Sequence, residues 1–187
     1  MTIGNSGGAL LLLSGSGDII GQSFINDTSG TGASILLNDW TFGVIDGNFL
    51  AISSPATLKI FSGTGISGTE IGSATTYTSD GFGFTSTATW TFAGGLSLID
   101  NQTYTAAVIS SADLYFPSSD ADPYANGYVT QSVSGNLTGS DTVFSANFSA
   151  GATAVPFEFE TSSGLAILGG AWLLRRHLKN RTKKVKS

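Results

Sequence analysis

A chain of 187 residues, with only 11% of them charged, suffices for one ordinary domain and an appendage, but not comfortably for two domains. The absence of cysteine excludes a disulfide framework and thiolate chemistry. All 13 acidic residues, but only Lys59 of the 8 basic ones, precede position 175, so residues 1–174 carry a net charge of -12 and the last 13 residues carry +7. Because an acidic body repels phosphate backbones, we expect no nucleic-acid partner.

In the body of the chain, residues 1–150, the apolar residues from Ile35 to Phe148 recur at every second position between clusters of glycine, asparagine, aspartate and serine. This period is typical of half-buried strands joined by turns. Because no helical period precedes residue 160, each apolar face needs a second sheet as its partner. This predicts an all-β fold, an antiparallel β-sandwich of roughly eight to ten short strands. The residues predicted to face the core are Trp40, Leu58, Ile60, Ala88, Trp90, Phe92, Ala106, Val108, Phe144, Ala146 and Phe148.

Several segments of the body occur in an order that resembles a known family. Residues 57–63 read Thr-Leu-Lys-Ile-Phe-Ser-Gly, and a glycine-rich turn, Trp-Thr-Phe at 90–92 and Leu-Ser-Leu at the start of 96–104 follow. With Gln-Ser-Phe at 22–24, this order resembles the jelly-roll-like domains of choice-of-anchor type, which bacterial proteins with a C-terminal anchor carry. The resemblance spans most of residues 19–148. It implies a binding or display module, for which carbohydrate is the usual guess, and it does not identify a ligand.

Gly63, Gly65 and Gly68 match the spacing of the dinucleotide-binding fingerprint. That site needs a helix N-terminus at the third glycine to hold the pyrophosphate. The residues that follow, 69–73, are strand-like and include another glycine. We therefore predict a hairpin loop at these glycines and no nucleotide site.

Histidine chemistry is excluded from the body, because the only histidine, His177, lies in the basic tail. Paired carboxylates are the remaining candidate catalytic residues, since a glycosidase needs one acid and one nucleophile or base. Most acidic residues occupy turn positions, where aspartate satisfies nearby backbone N–H groups. We expect a non-catalytic protein and keep a surface glycan-active enzyme as the alternative. The acidic residues considered are Asp39, Asp46, Glu70, Asp80, Asp100, Asp113, Asp120, Asp122 and Asp141.

Two ligand sites remain as hypotheses in the turn-rich part of the body. Tyr115, Tyr124 and Tyr128 are candidate stacking residues for a sugar ring. The alternative, that Tyr115 and Tyr128 are core residues of neighbouring strands, is favoured. Asp120 and Asp122 are candidate Ca²⁺ ligands, although an ordered Ca²⁺ site uses about six to eight oxygens. No other cofactor is expected.

The C-terminal residues divide into three parts. Residues 151–161 form a linker with a candidate sorting motif, residues 162–178 a predicted transmembrane helix, and residues 179–187 a basic cytoplasmic tail. At about 1.5 Å per residue, residues 162–174 span roughly 20 Å of the ~30 Å hydrocarbon core, and snorkelling by the basic residues that follow closes part of the gap. A buried or interfacial helix is the alternative. The motif consists of Val155, Pro156, Phe157, Glu158 and Phe159. The apolar stretch consists of Gly164, Leu165, Ala166, Ile167, Leu168, Gly169, Gly170, Ala171, Trp172, Leu173 and Leu174. The basic stop-transfer residues are Arg175, Arg176, Lys179, Arg181, Lys183 and Lys184.

This tail resembles the PEP-CTERM class of bacterial sorting signals, and Pro156-Phe157-Glu158 is most similar to the cyanobacterial variant. The sequence departs from the main family in that Phe157 stands between the proline and the glutamate. The resemblance covers residues 155–183. It implies recognition by a membrane-embedded exosortase, removal of the tail, and delivery of the body to the envelope or the extracellular matrix, where polysaccharide is a candidate partner.

The positive-inside rule places the basic tail in the cytoplasm and the sandwich outside. Export then requires an N-terminal signal peptide. Residues 1–5 carry no basic side chain, and the apolar run at 9–13 is shorter than such signals need. We therefore expect the true start of the protein to lie upstream of Met1. The expected location is the cell envelope, either anchored through the C-terminus or released after processing.

Overall fold

A computed structural model of the chain describes residues 1–5, 10–26, 34–46, 52, 54–81, 85–119, 124–132 and 134–151. All of these residues lie in one compact unit, Met1–Ala152. The described residues form 15 β-strands and no α-helix. The strands are β1 (Thr2–Asn5), β2 (Leu10–Ser14), β3 (Ile19–Ile25), β4 (Ser34–Gly43), β5 (Ile45–Asp46), β6 (Ala56–Ser62), β7 (Glu70–Ala74), β8 (Tyr77–Asp80), β9 (Thr87–Ile99), β10 (Thr103–Ser110), β11 (Leu114–Ser119), β12 (Val129–Gln131), β13 (Gly135–Leu137), β14 (Asp141–Thr142) and β15 (Phe144–Ala150).

The strands form two large sheets and one smaller sheet. The order is β1-β15-β4-β9-β8 in the first large sheet and β13-β12-β3-β10-β6-β7 in the second, whereas β14, β11 and β2 form the smaller one, with β5 paired to β11. Every strand pair among the described residues is antiparallel. The predicted all-β antiparallel class is confirmed. The strand number exceeds the expected range, in part because the two-residue strands β5 and β14 count separately, although each lies one residue from a longer strand, β4 and β15 respectively.

The core lies between the two large sheets. Phe24 of β3 in the second sheet packs against Trp40 of β4 in the first, with ring centroids 4.7 Å apart. Trp40 also stacks on Phe144 of β15 at 5.0 Å. Both Trp40 and Trp90 are fully buried, and burial of such a side chain contributes about 2–3 kcal/mol. The face-to-face packing makes the body a β-sandwich, as the period of two predicted.

The inward faces of three strands follow the predicted alternation. In β9 the side chains of Ala88, Trp90 and Phe92 are buried, whereas the threonines between them are half-buried or exposed. The predicted inward residues of β6 and β15 are also buried. In each strand the period of two assigns alternate side chains to the core and to the other side.

Strand β10 differs from the simple alternation that the sequence predicts. Five consecutive residues, Tyr104 to Val108, are buried, although only Tyr104, Ala106 and Val108 belong to the hydrophobic core between the sheets. Thr105 faces away from that core, and its hydroxyl binds the backbone of the loop between β6 and β7. The loop folds over the outer side of the strand at this point and buries it.

Candidate functional site

A groove of about 280 Å³ lies between the β6–β7 loop and the β12–β13 hairpin. Every residue that lines it is electrically neutral, and most carry a hydroxyl or an amide. The lining residues are Thr64, Gly65, Ile66, Ser67, Thr130, Gln131, Ser132, Gly135 and Asn136. A shallow recess that offers neutral hydrogen-bonding groups is suited to a small polar ligand.

The first wall of the groove is the β6–β7 loop, residues 63–69. Gly63 and Gly65 adopt positive φ angles of 77° and 81°, which glycine reaches without strain. A Cβ atom at Gly68 would lie 1.8 Å from the carbonyl oxygen of Ser62, so only glycine fits there. The pairing of β6 with β7 confirms the predicted hairpin loop at these three glycines.

The β6–β7 loop is held down by hydrogen bonds from the strand beneath it. The hydroxyl of Thr105 accepts from the backbone nitrogen of Gly65 at 2.8 Å and donates to the carbonyl oxygen of Gly63 at 2.9 Å. The backbone nitrogen of Gly63 donates to the carbonyl oxygen of Thr103 at 2.9 Å. Because Thr105 is fully buried, water does not compete for these bonds, and the wall is fixed in place.

The second wall is the β12–β13 hairpin. Thr130 pairs with Asn136 across the hairpin, and its hydroxyl donates a 2.8 Å hydrogen bond to Oδ1 of Asn136. Nδ2 of Asn136 donates to the hydroxyl of Tyr128 at 3.2 Å. Asn136 therefore links the lining of the groove to a tyrosine at its border.

Tyr128 is half-buried and directly precedes β12. Its backbone nitrogen donates to the hydroxyl of Ser23 at 2.9 Å, and its carbonyl oxygen accepts from the backbone nitrogen of Ser23 at 2.9 Å. These bonds fix the tyrosine to β3. Of the three tyrosines predicted as ligand candidates, Tyr128 is the one that the structure places beside the groove.

Tyr124 and Tyr115 do not line the groove. The hydroxyl of Tyr124 donates to the carbonyl oxygen of Ile25 at 3.0 Å and accepts from its backbone nitrogen at 3.1 Å. Its ring packs edge-on against Phe144 at 5.2 Å. Burial raises the pKa of Tyr124, the hydrogen bond with Ile25 lowers it, and the nearby charge of Asp141 adds to the rise. Tyr115 is half-buried on β11 in the smaller sheet.

Several carboxylates that the sequence analysis considered are engaged in hydrogen bonds or in an ion pair. Glu70 forms an ion pair of 2.8 Å with Lys59, Asp80 accepts from the backbone nitrogen of Gly81 at 2.7 Å, and Asp113 accepts from that of Ser16 at 3.0 Å. The bond of Asp80 to the adjacent Gly81 is the turn-type contact that the sequence predicted, whereas Asp113 bonds to Ser16, which lies 97 residues earlier in the chain. Asp39 accepts instead from the side chain of Asn147, at 2.7 Å.

Asp141 is fully buried, which the prediction of turn positions for the aspartates did not foresee. Its side chain is bonded to that of Gln22, which is also fully buried. The described part of the chain holds no group of three or more histidine, aspartate or glutamate side chains that could bind a metal ion. Asp120 and Asp122, the candidate Ca²⁺ ligands, lie outside the described residues.

A larger cavity of about 520 Å³ lies where the ends of β1, β4, β9 and β15 meet. Its lining includes the apolar side chains of Ile3, Val143 and Phe144 together with threonines and Ser86. The side chains that line it include no amide, whereas the groove beside Tyr128 has two, those of Gln131 and Asn136, and an amide both donates and accepts hydrogen bonds. For this reason we take the smaller groove as the candidate site.

The predicted sorting motif at 155–159, the apolar stretch at 164–174 and the basic cluster that follows lie outside the described residues. Within the described ranges, no helix has the length and apolar character needed to cross a bilayer.

Sequence alone did not single out Thr64, Ser67, Thr130 and Asn136. Serine and threonine are abundant throughout the chain, and a polar residue next to a glycine fits any turn. The one feature of the sequence that could have indicated the groove was the pair of glycine-containing turns at 63–68 and 134–136. Whether two turns lie close together depends on the order of the strands in the sheet, which the local sequence pattern does not determine.

Comparisons with protein-family models and with curated proteins find no match. A solved structure of the clostridial cysteine protease Cwp84 after propeptide cleavage is similar at a TM-score of 0.47 and 12% identity, over 80% of this chain and 40% of that one. The cysteine protease and lectin-like domains of Cwp84, a surface layer associated protein of Clostridium difficile, are similar at a TM-score of 0.42 and 12% identity, over 76% of this chain and 36% of that one. The chain thus spans less than half the length of either solved chain, and similarity at this level carries no argument about function.

Proposed function

We propose that the chain is a non-catalytic protein of the cell envelope that is exported, sorted through its C-terminal signal by an exosortase-like membrane enzyme, and displays a carbohydrate-binding β-sandwich. The observation that carries the sorting proposal is the order of features in the tail. A Pro-Phe-Glu motif at 156–158 precedes an uncharged apolar stretch at 164–174, and the basic cluster begins at Arg175.

The charge distribution supports this orientation. Basic residues that directly follow an apolar stretch resist translocation and stay in the cytoplasm, since each costs about 2.5–3.5 kcal/mol at the centre of a membrane helix. The tail carries +7 and the preceding 174 residues carry -12. A span so oriented leaves the sandwich on the outer side of the membrane.

The proposal of carbohydrate binding is supported by the groove beside Tyr128. Its hydroxyl and amide groups match the donors and acceptors of a sugar, and a tyrosine with a half-buried ring stands at its border. Aromatic faces next to neutral polar groups are the usual chemistry of sugar recognition.

Fractionation of the native host tests the sorting proposal. An antibody against the sandwich should find the protein in the envelope or the medium, and mass spectrometry should find the basic tail removed from the mature form. Replacing Pro156, Phe157 and Glu158 together by alanine should leave the tail attached and the protein in the membrane fraction. A cytosolic protein with an intact tail would overturn the proposal.

Incubation of the purified protein with polysaccharides tests the non-catalytic assignment separately. Retention of the protein on an insoluble polysaccharide without release of soluble fragments is the expected result. Release of fragments that stops on replacement of Glu70 or Asp39 would instead support the alternative, a surface glycan-active enzyme.

A further inference from the structure

We infer that the groove between Thr64, Thr130 and Asn136 is a binding site for one neutral polyhydroxylated sugar unit, and that it discriminates against anionic sugars. The inference rests on the proposed carbohydrate-binding function and names both the place and the chemical class of the ligand.

The first argument is that the groove is preformed. The loop wall is fixed by Thr105, whose buried hydroxyl bonds to Gly63 and Gly65. The hairpin wall is fixed by the ladder between β12 and β3, in which Thr130 pairs with Gly21. A site whose walls are already ordered loses little conformational entropy on binding. Weak contacts with a small ligand then suffice for measurable affinity.

The second argument is that hydrogen-bonding capacity remains at the groove. Asn136 has two amide hydrogens and uses one for Tyr128, and its Oδ1 accepts one bond, from Thr130. The hydroxyl of Tyr128 accepts from Asn136 and keeps its own hydrogen for donation. Thr64 and Ser67 on the opposite wall present exposed hydroxyls. Donors and acceptors on both walls match the alternating donors and acceptors of adjacent sugar hydroxyls.

The third argument concerns close approach. A Cβ atom at Gly65 would lie 3.1 Å from Oδ1 of Asn136 and 3.7 Å from the hydroxyl of Thr130. The loop and the hairpin therefore approach each other closely at Gly65, and a side chain there would crowd the amide of Asn136. Gly65 also has a positive φ of 81°, so the turn geometry and the close approach of the two walls at the buried end of the groove favour the same residue.

The fourth argument is electrostatic. The lining contains no cation that could pair with a carboxylate or a sulfate. A negative charge lies beside the lining, because Oδ1 of Asp18 accepts from the hydroxyl of Ser132 at 3.4 Å. The first 174 residues of the chain carry a net charge of -12. An anionic sugar would be repelled by this field and would lose hydration without gaining a counter-ion.

The size of the groove limits the ligand. A volume of about 280 Å³ lies just below the range of about 300–1,000 Å³ for pockets that enclose drug-sized ligands. One sugar unit therefore fits, with the rest of a chain in solvent. For so few ligand atoms we expect a Kd on the order of 1 mM. Many copies on one surface would raise the apparent affinity for a polysaccharide through multivalency.

The test is a titration of the full chain, ¹⁵N-labelled, in a detergent without a sugar headgroup. The probes are the methyl glycosides of glucose, galactose, mannose and N-acetylglucosamine, with glucuronate as the anionic counterpart of glucose. At least one neutral sugar should shift the amide signals of Gly65, Thr130 and Asn136. Glucuronate should bind at least tenfold more weakly than glucose.

The matched variants are Asn136→Ala and Asn147→Ala. Both remove an exposed asparagine that bonds to neighbouring side chains, but Asn147 lies on β15 in the other large sheet. Asn136→Ala should weaken binding about tenfold, because it removes hydrogen bonds at the groove, whereas Asn147→Ala should leave it unchanged. Tyr128→Phe serves as a second variant that keeps the ring, and near-native circular dichroism of each variant verifies its fold.

The outcomes separate the two proposals. Sugar binding that Asn136→Ala and Tyr128→Phe both leave intact would overturn the groove assignment and leave carbohydrate binding standing. Equal binding of glucose and glucuronate would overturn the selectivity for neutral sugars. Binding of no probe would overturn both, whereas the sorting proposal would still be decided by fractionation.

Discussion

Nε2 of Gln22 donates a 2.6 Å hydrogen bond to Oδ1 of Asp141, which lies 119 residues further along the chain. Oε1 of Gln22 accepts from the backbone nitrogen of Thr142 at 2.9 Å, and Oδ2 of Asp141 accepts from that of Tyr124 at 2.8 Å. Gln22 and Asp141 are both fully buried. A buried carboxylate is tolerated where hydrogen bonds replace its hydration. The pair therefore fixes β14 and the segment before β12 to β3.

Replacing Asp141 by alanine should lower the free energy of unfolding by about 3 kcal/mol, because the amide of Gln22 and the backbone nitrogen of Tyr124 lose a charged acceptor inside the protein. Urea denaturation measures the loss. Asp80→Ala is the control, since Asp80 is exposed and its carboxylate bonds, among the described residues, only to the backbone of the adjacent Gly81. Its effect should stay within about 0.5 kcal/mol. Equal effects of the two substitutions would contradict a structural role for the buried network.

Substitution by phenylalanine should change the free energy of unfolding by different amounts at the two core tryptophans. Nε1 of Trp90 donates to the carbonyl oxygen of Ala56 at 3.2 Å, whereas Nε1 of Trp40 is buried and has no hydrogen-bond partner in the part of the chain that the structure describes. Trp90→Phe therefore leaves a buried carbonyl without its donor, while Trp40→Phe removes an unsatisfied N–H group. We expect Trp90→Phe to be more destabilising by about 1–2 kcal/mol in urea denaturation. Greater destabilisation by Trp40→Phe would show that ring volume dominates at both positions.

The sequence was informative where structure depends on local period. Leu58, Ile60 and Trp90 were predicted to face the core, because alternate side chains of a strand necessarily share a face. Local sequence does not determine which strands pair with each other. The buried contact between Gln22 and Asp141 was therefore not predictable. The same holds for the approach of the loop at Gly65 to the hairpin at Asn136. Both contacts depend on sheet order and register.

Tyr104 and Tyr128 offer a comparison of a structural and a surface tyrosine. The hydroxyl of Tyr104 accepts from the backbone nitrogen of Ile99 at 2.9 Å and closes the turn before β10 in the manner of a tyrosine corner. Tyr104→Phe leaves this nitrogen without its partner and should lower the free energy of unfolding by about 1–2 kcal/mol. Tyr128→Phe breaks only a bond to the exposed Asn136 and should cost under about 0.5 kcal/mol. A loss as large as that of Tyr104→Phe would assign Tyr128 a structural role.

The free energy of unfolding should fall at alkaline pH because of the ionisation of Tyr124. Burial raises its pKa above the ordinary tyrosine value of about 10. Below that value both the folded and the unfolded chain keep the proton, so stability does not depend on this group. Above it the unfolded chain releases its proton first and binds fewer protons than the folded chain, so the free energy of unfolding decreases as pH rises.

Thermal or urea unfolding between pH 8 and pH 11 checks this expectation, with the pH range chosen to bracket the value of about 10 for an unperturbed tyrosine. Tyr124→Phe should be less stable than the wild type at pH 8, because Ile25 loses two hydrogen bonds, but its stability should decline less steeply with pH. Tyr77, whose pKa burial also raises, contributes part of the decline, so the double variant with Tyr77→Phe should have the shallowest profile. An unchanged slope in Tyr124→Phe would show that alkaline unfolding begins at other groups.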